Sequence, residues 1–178
     1  LMFFENSTRT RFSFEYAINS LSAHPYIFDA KKMLAQTEDK KEIIIILLDE
    51  SNVGKTSIFN RFIANKFDPN NSSTIGVDFE VKKFEYKGKE YLIKLFDTAG
   101  QERFRSIIQS YFRMGDAYFF VFDITNEHSF KSIQRWISLL KEAVKDPKFI
   151  ILANKDDLKD KDKISDEVIN FIKFILLF

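Results

Sequence analysis

Gly54, Lys55 and Thr56 stand a few polar residues behind the apolar run "EIIIILL" at 42–48. A strand that turns sharply into a helix points successive N–H groups, and the positive helix end, at one spot. That spot suits a phosphate. A lysine there neutralises β- and γ-phosphates, and the threonine hydroxyl ligates Mg²⁺. The stretch Asp49, Glu50, Ser51, Asn52, Val53, Gly54, Lys55, Thr56 and Ser57 is therefore the candidate phosphate loop. It departs from the full G-x-x-x-x-G-K-[ST] pattern at its first position, where Asp49 replaces glycine. Asn52 tolerates left-handed backbone better than most residues, but Asp49 threatens to set a carboxylate beside a polyphosphate. Two unit charges about 4 Å apart repel by roughly 4 kcal/mol at an effective dielectric near 20. Glu50 is expected to point away.

The elements that must position this loop follow from periodicity. "EIIIILL" (42–48), "AYFFVFD" (117–123) and "FIILAN" (149–154) are continuous, β-branched or aromatic runs, which is how strands covered on both faces read. Ile58, Phe59, Phe62 and Ile63 form one helix face. Phe130, Ile133, Ile137, Leu140 and Val144 form a longer one. Val77, Phe79 and Val81, then Tyr91, Ile93 and Leu95, alternate with polar residues about "KGKE" and predict a half-exposed antiparallel pair. Parallel strands with crossover helices plus one hairpin predict an α/β, three-layer, doubly wound fold with a mostly parallel sheet.

Composition narrows the function classes. The chain has 178 residues, 45% hydrophobic and 30% charged, enough for one globular domain with a sizeable core. Its net charge of +1 gives no electrostatic footprint for nucleic acid. The absence of cysteine excludes disulfides, thiol catalysis and prenylation of this sequence. Its longest apolar runs are far too short to span a bilayer. The expected location is cytoplasmic, with peripheral endomembrane association only through a lipidated tail outside this sequence. The polar stretch "QTEDKK" at 36–41 reads as a linker.

"STIGVDF" (73–79), "LFDTAGQERF" (95–104) and "NKDDL" (154–158) follow the loop in the order and spacing of a Ras-superfamily GTPase. "TIGVDF", "DTAGQERF" and "SYFRMGDA" resemble the Rab branch. The resemblance runs from residue 42 to about 173. It implies a P-loop GTPase fold and a GTP/GDP switch in vesicle traffic with slow, Mg²⁺-dependent hydrolysis. By the same resemblance, Thr56, Thr74 and Asp97 would hold the metal, the last through water. Gly100 would offer its N–H to the γ-phosphate, and Gln101 would orient the attacking water. Asn154 and Asp157 would read guanine, the Lys155 stem would lie along the base, and Phe67 would stack on it. Phe79, Phe96 and Tyr111 match the aromatic trio through which Rab proteins meet effectors, beside the bland alternative of sheet-edge packing.

Two further expectations concern the ends. The family continues into another strand, a base-contacting loop and a last helix, whereas this sequence stops after the amphipathic stretch "ISDEVINFIKFILLF". The final strand and helix are therefore expected to be missing, with a truncated GTPase domain over 36–178. Residues 1–35 are expected to form a separate, helical N-terminal segment. Within it "FFENSTRTRFSFEYA" is similar to the carbamoyl-phosphate loop of aspartate and ornithine carbamoyltransferases, with Ser7-Thr8-Arg9-Thr10 as the matching core. The competing functional readings are a nucleotide-free remnant with only an interaction surface, and a phosphate-binding module led by that N-terminal loop.

Overall fold

The computed structural model describes residues 2–3, 42–68, 74–86, 88–155 and 158. The "STRT" loop, the helix expected after it, Asp157 and the stretch from 164 onward lie outside the described residues. Six strands form one sheet: β1 (Met2–Phe3), β2 (Glu42–Leu48), β3 (Val77–Tyr86), β4 (Lys89–Thr98), β5 (Ala117–Asp123) and β6 (Phe149–Asn154). Their spatial order is β1-β6-β5-β2-β4-β3. Every pairing is parallel except β3 with β4. The three apolar runs become strands over the residues expected, because each is covered on both faces.

Helix α1 (Lys55–Ala64) packs Ile58, Phe59 and Phe62 against Ile43, Ile45, Leu47, Ile93 and Leu95 on one face. On the other, α2 (Arg105–Tyr111) and α3 (Glu127–Ala143) bring Ile108, Phe130, Ile133, Trp136, Ile137 and Leu140 onto Ile46, Leu48, Phe120 and Phe122. This is the three-layer doubly wound architecture. Asn126 caps α3 by accepting from the His128 and Ser129 N–H groups. Val144, expected on the α3 face, instead ends that helix in extended backbone and packs from there against the core.

The hairpin is the half-exposed antiparallel pair expected, and its register assigns the two apolar stripes to opposite faces. Its register pairs Val77, Phe79 and Val81 with Thr98, Phe96 and Lys94, so this stripe lies on the opposite face from Tyr91, Ile93 and Leu95. The latter stripe is buried under α1, while Phe79 and Val81 remain 48% exposed. A period of two tells which residues share a face but not which face the core occupies. At the other edge, Met2 pairs with Leu152 and Phe3 with Ala153, so the first residues join the sheet as a short parallel strand.

Candidate functional site

Five residues of the described chain carry positive φ without being glycine, and two of them are Asp49 (121°) and Asn52 (62°). The loop's turn demands these backbone angles, which is why glycine suits both positions. Asn52 adopts its angle at small cost. Asp49 is strained, since an L-residue at that φ crowds its own Cβ. Its side chain corrects the sequence expectation. The carboxylate is fully buried and turned toward α3, where Oδ1 accepts from the Ser132 hydroxyl and from the Glu50 N–H at 2.7 Å. Its Oδ2 has no partner among the described residues. Burial pushes this carboxyl up to about 7, against the lowering effect of those two hydrogen bonds. Glu50 points away as expected, ion-paired at 2.6 Å with Arg135.

The Lys55 ammonium is buried under the loop and donates to the carbonyls of Asp49 at 3.0 Å and Glu50 at 2.6 Å. Burial lowers it to about 8, although Asp97, Asp49 and Glu50 all act to raise it. Beside it, three segments far apart in sequence converge. Thr56 at the start of α1 donates to Asp97 Oδ2 at 2.6 Å. Thr74 lies 2.6 Å from Thr56 through their hydroxyls and donates to the same carboxylate oxygen at 3.2 Å. Asp97 Oδ1 is buried and unpartnered among the described residues, and burial raises its carboxyl above the usual range. Hydroxyls and a carboxylate with a free lone-pair oxygen are hard ligands, the donor set that suits Mg²⁺.

Gly100 follows β4 and abuts the loop. A Cβ there would collide with the Glu50–Ser51 backbone, so only glycine allows this approach. Gln101 begins the turn that follows, its carbonyl accepting from the Phe104 N–H at 3.0 Å. On the far side, the Asn154 amide donates to the Val53 carbonyl at 2.7 Å and fills the space beside Gly54. Thus the end of β6 braces the loop. Lys155, at φ 67°, sends its ammonium to Asp123 at 2.6 Å, a partner that the resemblance did not supply. Phe67 is 39% exposed in the segment after α1.

Residues 44–172, most of the chain, match the family model described as Ras family. The chain belongs to the Ras family. This Ras-family chain is 43% identical over 124 residues to Ras-related protein Rab-8B of Homo sapiens and of Bos taurus, and to Rab-8A of Mus musculus. Each match covers 69% of this chain and 60% of the relative, so the chain spans less than two thirds of their length. Residues 1–49 also match the carbamoyl-P binding domain of aspartate and ornithine carbamoyltransferases. Among the described residues no helix is long and apolar enough to cross a membrane.

Two features of this Ras-family site escaped sequence reasoning. Ser132 and Arg135 lie on α3, more than eighty residues from the loop positions they bind. The signal available was Ser129 and Ser132 sitting among the apolar positions of α3, where small hydroxyls are buried with partners. Asp123, the partner of Lys155, ends a strand that reads only as apolar. The aromatic trio does assemble. Phe79 stacks on Phe96 with centroids 5.2 Å apart, and Phe96 meets Tyr111 at 5.7 Å.

Proposed function

We propose that this chain is a Rab-type GTP/GDP switch in vesicle traffic that hydrolyses GTP slowly with Mg²⁺. The observation that carries this reading is the meeting of the Thr56, Thr74 and Asp97 oxygens beside Lys55 at the end of β2. In this reading the loop from Asp49 to Ser57 cradles the phosphates, with Lys55 leaving its two carbonyls to reach the β- and γ-positions. Thr56, Thr74 and Asp97 would hold the metal, and Mg²⁺ there supplies charge neutralisation at the transferring phosphoryl group. The Thr74 segment is ordered by that contact and released after hydrolysis. Gly100 offers its N–H to the γ-phosphate, and Gln101 orients the water. Asn154, Lys155, Phe67 and Asp157 hold the guanine.

The exposed Phe79 ring, stacked on Phe96, which in turn meets Tyr111, offers an aromatic surface for effector and regulatory proteins. Lys94 lies 4.3 Å from the Phe79 ring centre and adds a cation to that surface. The division into a transcarbamylase-like segment at 1–35 and a GTPase domain at 36–178 belongs to the same proposal.

A second reading, the nucleotide-free remnant, draws on Asp49 at φ 121° and on Lys55 held by its own loop. Calorimetric titration with GDP and with ADP separates the two. The switch reading expects GDP to bind at least ten-fold more tightly than ADP, and Thr56→Ala to weaken GDP only when Mg²⁺ is present. No heat with either nucleotide would favour the remnant.

A further inference from the structure

The substitution of Asp49 for a loop glycine is matched by a receptor on another element. Its carboxylate is fully buried and accepts from the Ser132 hydroxyl on α3. One turn along the same helix, Arg135 holds the side chain of the next loop residue, Glu50, at 2.6 Å. Consecutive residues of the phosphate loop are thus tied to α3 at positions three apart, which share a helix face. Ser132 is not otherwise idle, because the same hydroxyl lies 2.8 Å from the Ser129 carbonyl. A hydroxyl has a single proton, so donating to the carboxylate and to that carbonyl are alternatives. A carboxylate held only by the adjacent Glu50 N–H would be free to swing about its side-chain bonds, toward the inner side of the loop. There the Lys55 ammonium lies, and in the reading above the phosphates would lie there too.

We propose that Ser132 is a positioning residue for nucleotide binding: it holds the Asp49 carboxylate against α3 and away from the phosphate path. This rests on the nucleotide-binding reading of the loop. Arg135 assists by fixing the neighbouring residue, with a smaller effect because its ion pair is partly exposed. The consequence is an allele-like dependence. Ser132 matters to affinity only while residue 49 carries a carboxylate.

The test is a double-substitution cycle on the full chain, read by fluorescent-GDP titration with Mg²⁺ and by thermal melting. Ser132→Ala is expected to weaken GDP at least ten-fold in the Asp49 chain and less than two-fold in the Asp49→Gly chain. Ser132→Thr keeps the hydroxyl and is expected to restore most of the affinity. Titration runs well below the melting point of each variant, so a general loss of stability does not masquerade as lost affinity. Equal weakening in both backgrounds would overturn the positioning role while leaving nucleotide binding intact. Unchanged affinity in the Asp49 chain would overturn it too. If neither background binds GDP, the nucleotide-binding reading itself fails and takes this proposal with it. Where Ser132→Thr proves too bulky to fold, the Gly-background comparison still decides.

Discussion

Replacing Asp49 by glycine should stabilise the protein, and the size of the gain can be worked from three terms. The backbone at φ 121° is strained for any L-residue, by about 1–3 kcal/mol. Burial raises the carboxyl from 3.8 to about 7, roughly three units, or on the order of 4 kcal/mol against the charged form above that pH. Glycine's extra freedom in the unfolded chain returns roughly 1 kcal/mol of the gain. Loss of the Ser132 hydrogen bond is small in comparison, because that hydroxyl keeps the Ser129 carbonyl as an acceptor. A net gain of about 4–6 kcal/mol at pH 8 corresponds to roughly 15 °C in Tm for a chain of this length.

The pH dependence identifies the cause. A carboxyl raised on folding favours the native state fully below 3.8, and that advantage is lost as pH rises through about 7. The difference between Asp49→Gly and the parent should therefore be largest at pH 8 and shrink toward the strain term at pH 5. Asp49→Asn should follow the charge part of this behaviour and keep the strain. Urea or thermal melts at both pH values, with all three chains, make the measurement. A destabilised Asp49→Gly chain, or a difference independent of pH, would refute the reasoning.

Gln101→Leu should slow single-turnover phosphate release while leaving GDP affinity unchanged, since in the proposed mechanism the side chain would act on the attacking water and not on ground-state phosphates. Gly100→Ala should destabilise the fold and weaken nucleotide binding together, because the added methyl meets the Glu50–Ser51 backbone; circular dichroism melts with a GDP titration check both. Phe79→Ala should shift Tm by no more than about 2 °C, since the ring is half exposed, while abolishing capture of any effector-type partner. Deleting residues 1–35 should lower Tm by only a few degrees, because the described residues of that segment, Met2 and Phe3, add two pairings at the edge of β6.

The strands and both long helices were legible because their apolar patterns are long and unbroken. The cluster of Thr56, Thr74 and Asp97, proposed to hold the metal, was legible only through the family's motifs. No periodicity links Thr56, Thr74 and Asp97, which lie on a helix start, a loop and a strand end. The side-chain direction of Asp49 was not legible at all. It depends on a serine eighty-three positions away that reads locally as one more polar residue on a helix. The same holds for Lys155, whose ion pair with Asp123 joins the ends of two adjacent strands. The faces of the hairpin were not legible, because alternation fixes a stripe and only the pairing with β2 decides which stripe the core receives.

The central claim is that the cluster of Thr56, Thr74 and Asp97 beside Lys55 serves a guanine nucleotide with its metal. A fluorescent-GDP titration of the full chain, run with Mg²⁺ and again with EDTA, tests it most directly. Saturable binding is expected, weakened at least ten-fold when the metal is chelated and displaced by unlabelled GDP. Titration curves that remain flat in Mg²⁺, or that are identical in EDTA, would contradict it.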